Sequence, residues 1–173
     1  DVYKRQDVSL RSGWFYHASQ QPKSLADLLD IYMDSVGRGT PLLLNVPPTK
    51  EGLLAEEDVQ RLQEFYQVVS DLYTDNLAFQ AKVSCSNEKE GFPSSHLTDG
   101  REDTFWAPAS DESAYVLEID LGQTRSFNLV EIREPIAKGQ RIAGFTLEVK
   151  QENGWTVFAR GQTIGYKLSL IHI

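Results

Sequence analysis

The chain has 173 residues, a formal net charge of −8 and a hydrophobic fraction of 40%. That acidic balance argues against nucleic acid or an anionic membrane as partner, because phosphate binding needs clustered Lys and Arg. No apolar run, Leu42-Leu43-Leu44 included, approaches the roughly 20 residues that cross a bilayer, and Cys85 is the only cysteine, so no internal disulfide can staple the fold.

Taken in chain order, the first half reads as helical and the second as β. Ser24 is a cap for a predicted helix in which Leu25, Leu28, Leu29, Tyr32, Met33 and Val36 follow the three-four spacing of a buried face. Asp27 favours the positive helix start, and Gly37 and Gly39 stop the helix. Leu42-Leu43-Leu44-Asn45-Val46 is apolar on both faces, as a covered parallel strand requires, and Pro47-Pro48 closes it. A second helix is predicted over about Ala55 to Tyr73, with Val59, Leu62, Phe65, Tyr66, Val69 and Leu72 on one buried stripe. Strand, helix, strand, helix is the unit of an α/β barrel or layered α/β fold.

Character changes near Asp75. Tyr115, Leu117, Ile119 and Leu121 alternate with Val116, Glu118 and Asp120 before the Gly122 turn. Phe145, Leu147 and Val149 alternate with Thr146, Glu148 and Lys150, and after Glu152-Asn153-Gly154 the residues Trp155, Val157 and Ala159 continue as a hairpin partner. Period-two alternation with Gly and Asn turns signals an antiparallel sandwich. Trp106 and Trp155 are expected in its core rather than as a sugar platform, and Cys85 as an inert buried thiol. The fold class read from these patterns is α+β: part of an α/β barrel or layered α/β fold over 7–74, then an antiparallel β-sandwich over 75–167.

The extreme ends carry a separate signal. Asp1-Val2-Tyr3-Lys4-Arg5-Gln6 can be encoded by GAT GTG TAT AAG AGA CAG, whose reverse complement, CTG TCT CTT ATA CAC ATC, encodes Leu168-Ser169-Leu170-Ile171-His172-Ile173. Residues 1–6 and 168–173 are therefore expected to be translated sequencing adaptor, and the gene to be cut on both sides.

The block Asp7-Val8-Ser9-Leu10-Arg11-Ser12-Gly13-Trp14-Phe15-Tyr16-His17, followed by Ser24-Leu25-Ala26-Asp27-Leu28-Leu29-Asp30-Ile31-Tyr32, Ser35-Val36-Gly37 and Leu42-Leu43-Leu44-Asn45-Val46-Pro47-Pro48, resembles the late barrel of glycoside hydrolase family 29, the α-L-fucosidases. The GWFYH and LLLNVPP pairing most resembles the branch preferring α-1,3 and α-1,4 fucose linkages. His96-Leu97-Thr98-Asp99-Gly100-Arg101-Glu102-Asp103-Thr104-Phe105-Trp106 is similar to the opening of factor 5/8 type C domains, which include family 32 carbohydrate-binding modules. The resemblance implies the end of a (β/α)8-like catalytic barrel over 7–74 followed by a jelly-roll, galactose-binding-like sandwich over 75–167. It also implies an exo-acting, retaining enzyme on fucosylated oligosaccharides or glycoconjugates, placed outside the cell or in the periplasm by its substrate class.

A retaining glycosidase needs two carboxyl groups about 5–5.5 Å apart. The resemblance puts both upstream of this chain, so no catalytic residue is assigned and the chain alone is expected to be inactive. Trp14, Tyr16 and His17 are candidates for lining the sugar pocket, since fucose offers a methyl and an apolar face to an aromatic wall; the alternative is strand packing, or for His17 a loop cap. Asn45 either orients a pocket residue or hydrogen-bonds the Pro47-Pro48 turn. Asp99, Asp103 and Thr104, on a tight loop with Gly100, offer hard oxygen donors suited to a structural Ca²⁺, or else form an ordinary Asx-turn. No cofactor for catalysis is expected. The competing function is a sandwich that binds glycans, or braces the barrel, without catalysis.

Overall fold

Helix α1 (Leu25–Ser35) begins at the expected cap. Ser24 Oγ accepts from Asp27 N at 3.1 Å, and Asp27 Oδ2 accepts from Ser24 N at 3.3 Å, so each satisfies a donor the helix leaves open. The helix tightens into a 3-10 turn at Val36–Arg38 and stops at Gly39, whose φ of 76° is left-handed. A Cβ there would also stand 2.7 Å from the Tyr166 ring, so glycine is required twice over. These elements belong to a computed structural model that describes residues 6–112 and 114–171. The described residues fall into two compact units, one of those up to Leu72 together with those from Asn128 onward, the other Tyr73–Phe127.

In the first unit, strands β1 (Gln6–Ser9) and β2 (Leu42–Asn45) pair in parallel, Gln6 opposite Leu42 and Ser9 opposite Asn45. Parallel neighbours need a crossover, and α1 supplies it. Leu10 and Leu28 are fully buried beside Met33, each side chain contributing about 1.5–3 kcal/mol by leaving water. Helix α2 (Glu56–Leu72) packs on α1, with the Tyr32 and Phe65 rings edge to face at 5.8 Å. The expected buried stripe of α2 is divided. Leu62, Phe65, Val69 and Leu72 are half-buried, but Val59 and Tyr66 are exposed, Tyr66 at 71%. Seven residues apart, those two share a flank of the helix that α1 does not cover. No described helix is long and apolar enough to cross a membrane.

The second unit pairs β3 (Lys82–Cys85) antiparallel with β4 (Leu117–Asp120). Ring contacts Phe92–Phe105 and Trp106–Tyr115, at 4.8 and 5.6 Å, supply its apolar centre, leaving Trp106 half-buried. The alternation through Leu117 and Ile119 was expected to turn one face inward. Both are exposed, because β4 pairs with β3 alone and no described second layer of this unit covers it. Cys85 is half-buried, and its thiol donates to the Asn87 carbonyl at 3.3 Å.

The remaining strands return to the first unit. β5 (Leu129–Ile132) pairs antiparallel with β8 (Leu168–Ile171), and β6 (Phe145–Gln151) pairs with β7 (Gly154–Gly161) across the two-residue turn Glu152-Asn153. Phe145, Leu147 and Val149 face inward as expected. Trp155 does not: it is 52% exposed, with Lys150 Nζ 6.0 Å from the ring centroid. Within the span 75–167, the residues from Asn128 onward lie in the first unit. Leu168 and Ser169, the first residues of the closing hexapeptide, are buried, and Ser169 lies under Gly37. That placement concerns packing and not the origin of the hexapeptide.

Glu134 ties three segments of this half together. Its carboxylate is buried and accepts backbone N–H bonds from Arg141 at 2.9 Å, Ile142 at 3.0 Å and Gly165 at 2.8 Å, while its own N–H donates to the Gly165 carbonyl. Burial alone would raise its pKa; the N–H donors outweigh that and hold the carboxyl below its ordinary value. The sign follows: the stabilisation is complete above the unfolded-state value of about 4.3 and is lost as pH falls toward the lower folded value. Glu134→Gln is expected to destabilise the chain by about 1.5–3 kcal/mol at pH 7, in line with losing bonds to a charged acceptor. Urea midpoints from pH 7 down to pH 3 should show the gap between variant and parent closing in acid.

Candidate functional site

The carboxyl ends of β1 and β2 lie side by side, Ser9 opposite Asn45, and the loop that follows β1 rises from that edge. In parallel α/β architectures this is the edge where sites form. The loop, residues 10–23, has no regular ladder to satisfy its backbone, so its polar groups are met one by one. Leu10 N donates to the Asn45 carbonyl at 2.8 Å, and Lys23 N returns to the Leu10 carbonyl at 2.8 Å, closing the loop at its base. Lys23 Nζ donates to the carbonyls of Ser9 at 2.7 Å and Arg11 at 3.3 Å. Ser9 Oγ donates to the Gly13 carbonyl at 2.7 Å.

Asn45 serves the loop and not the proline turn. Its Nδ2 donates to Ser9 Oγ at 3.0 Å and to the Trp14 carbonyl at 3.1 Å. Trp14 therefore has a fixed backbone and a ring that is 54% exposed, and Phe15 beside it is 79% exposed. These aromatics stand on a loop; they are not the packing of a strand. His17 is also exposed, and its carbonyl, rather than its ring, takes part in the loop's bonding by accepting from Gln20 N at 3.0 Å. Tyr16 is half-buried under Arg11, whose guanidinium carbon is 4.7 Å from the ring centroid. Asn45 and the Trp14 backbone thus meet at this edge, His17 stands exposed on the same loop, and Tyr16 packs against Arg11.

The residue that organises this loop was not singled out from sequence. Arg11 is 2% exposed, and its Nε donates to both carboxylate oxygens of the fully buried Asp58 at 3.0 and 2.9 Å. Its Nη1 donates to the carbonyls of Gln20 and His17. Asp58 lies in the first turn of α2, where the helix dipole also favours negative charge. The available signal was that residues 8–26 hold no acid, so a basic residue there needs a distant partner. Which of the later acids it takes cannot be read from spacing. The same lack of Asp and Glu leaves the loop with no carboxyl group to act as nucleophile or acid, and Asp7 lies within β1.

The three proposed metal donors divide. Asp99 Oδ1 accepts from Arg101 N at 2.9 Å, forming an Asx-turn, and Oδ2 accepts from Thr104 Oγ1 at 2.8 Å. The Arg101 N–H, then the Thr104 hydroxyl, hold the Asp99 carboxyl below its ordinary value. Asp103 faces Arg101 instead, through Nε at 3.0 Å and Nη2 at 2.7 Å. Thr104 Oγ1 thus stands between Asp99 Oδ2 and the Arg101 carbonyl, 3.5 Å from the latter, while Asp103 pairs with the Arg101 guanidinium. No cluster of three His, Cys, Asp or Glu side chains suited to a metal occurs among the described residues. A shallow, open surface groove runs along α2, lined by Leu54, Val59, Leu62 and Tyr66, and shares no residue with the loop.

Comparison with known proteins identifies both parts of the chain. Residues 80–168 match the F5/8 type C domain family, and residues 3–70 match the Alpha-L-fucosidase family. The chain belongs to the F5/8 type C domain family, whose model spans just over half of it, and its first part is similar to the Alpha-L-fucosidase family. Alpha-L-fucosidase 1 of Arabidopsis thaliana is 41% identical over 167 residues, which are 93% of this chain and 33% of that protein. The crystal structure of SpGH29 superimposes with a TM-score of 0.89 at 47% identity, covering 96% of this chain and 37% of that one. A Ruminococcus gnavus GH29 fucosidase in complex with fucose superimposes at 0.83 with 32% identity, covering 97% and 35%. The chain spans about a third of the length of the curated relatives it matches.

With Asn45→Ala, the Ser9 hydroxyl and the Trp14 carbonyl lose a donor. The variant is expected to lose about 1–3 kcal/mol of stability. Acrylamide quenching of Trp14, read in a Trp106→Phe, Trp155→Phe background, should rise if Asn45 is what fixes that loop.

Proposed function

We propose that this chain is the C-terminal part of a longer, exo-acting, retaining α-L-fucosidase that removes terminal α-linked fucose from glycans. The observation that carries the reading is Trp14: an exposed indole, held by Asn45, at the carboxyl edge of a parallel strand pair. An apolar wall of this kind suits the methyl-bearing face of fucose. The two carboxyl groups of the retaining mechanism come from the rest of the longer protein, since the loop has none. The late-barrel and jelly-roll assignments, a preference for α-1,3 and α-1,4 linkages, and an extracellular or periplasmic location go with this reading. The longer protein is expected to hydrolyse an aryl α-L-fucoside, and residues 7–167 alone to show no turnover. Failure of the longer protein to release the aryl group would remove the assignment, while turnover by 7–167 would remove only the claim that the acids lie elsewhere. The exposed Trp155 favours a second reading, glycan capture by the β-rich part; retention of 7–167 on a fucosylated-glycan column, lost with Trp155→Ala, would support it.

For the metal, we propose that Ca²⁺ binds at Asp99, Thr104 and the Arg101 carbonyl, with Asp103 acting on Arg101 alone. Calcium would supply charge neutralisation and cross-linking of that loop, not chemistry. Added Ca²⁺ should raise Tm equally in the parent and in Asp103→Ala, and EDTA should reverse it. An Asp99→Ala variant that still responds would exclude the site.

A further inference from the structure

We propose that the Arg11–Asp58 pair is the positioning latch of the outgoing limb of the sugar-facing loop, so that the first turn of α2 sets where His17 stands. The proposal rests on the fucosidase reading for its functional consequence and on geometry for the rest. Arg11 is at once on both oxygens of a fully buried carboxylate, on two loop carbonyls, and against the Tyr16 ring. One planar, five-donor cation thus joins a helix to two points of a loop. A lysine cannot reproduce this, because its compact ammonium has no fork to span Asp58 and the two carbonyls together. The two loop carbonyls belong to His17 and Gln20, so releasing the guanidinium frees the outgoing limb while the Asn45 bond still holds Trp14. Arg11 and Asp58 would touch no reacting atom. They act through the residues they place.

Breaking one partner leaves a buried charge unpaired, and Arg11→Lys or Asp58→Asn is open to failing by unfolding alone. Arg11→Met with Asp58→Leu removes both charges together, which separates the latch from the cost of an orphaned charge. In the full chain, the double variant is expected to keep its far-UV circular dichroism and the exchange rates of the α1 amides. Amides of residues 10–23 should exchange at least about tenfold faster, because local opening no longer breaks the latch. In the longer protein, KM for an aryl α-L-fucoside should rise by about tenfold or more, as misplacement of about 1 Å can cost a hundredfold, while the pH profile of kcat stays in place. Arg11→Lys, where it folds, should show the same pattern. Unchanged loop exchange, or unchanged KM with the loop loosened, would overturn the proposal. So would unfolding of the double variant, which would make the pair a requirement of the fold rather than of the loop. A longer protein that cleaves no fucoside at all would instead defeat the functional reading, and the exchange measurement would still decide the latch.

Discussion

A guanidinium taken out of water must find partners for its donors or it does not stay charged and buried. Arg11 meets that constraint with a helix carboxylate, two loop carbonyls and an aromatic face, and the local architecture follows from it. Asp58 has to face inward from the first turn of α2, which fixes the rotation of that helix on α1. The loop has to curl until its carbonyls reach the cation. Once it has done so, Ser9, Lys23 and Asn45 find the rest of the loop's backbone within hydrogen-bonding distance. The result is a loop with irregular backbone and few free polar groups, from which Trp14 and Phe15 project.

The helices were legible because their signals are local. Ser24 and Asp27 form a cap within four residues, and Gly39 ends the run through its own backbone. The hairpin at Glu152-Asn153 was legible for the same reason. The burial of α2 was only partly so: Val59 and Tyr66 have the right spacing for a stripe, but burial depends on a second element being there to cover it. Trp155 carries the same lesson for the β-rich part, where alternation tells which residues share a face but not whether that face is covered. At the site, Trp14, His17 and Asn45 were reachable from the resemblance of their blocks. Arg11 and Asp58 were not, because they lie 47 positions apart and a charged residue in a loop reads as solvated by default. Among the proposed metal donors, spacing placed Asp99, Asp103 and Thr104 on one loop. It could not say that Arg101 between them would claim one of the two carboxylates.

Two carboxylates are used for opposite ends in this chain. Asp58 neutralises a buried cation, so its value lies in the pair. Glu134 enters no ion pair among the described residues; it gathers N–H groups from two loop segments, at 141–142 and at 165, that no regular ladder satisfies. The first holds a loop whose side chains face outward. The second holds together a segment with few regular hydrogen bonds of its own, between β5 and the approach to β8.

The first unit is assembled from two stretches of chain with Tyr73–Phe127 between them, and β8 is pressed against the Val36–Arg38 turn. That ordering has a consequence for synthesis. A ribosome delivers β1, α1, β2 and α2 before any residue from Asn128 onward exists, so the first stretch of the unit waits while Tyr73–Phe127 is made. Closing that gap costs loop entropy that grows only slowly with its length, but it cannot be met by any contact made earlier. The two stretches of the first unit therefore meet only after the intervening one has been made, and until then α1 and α2 rely on their contact with each other.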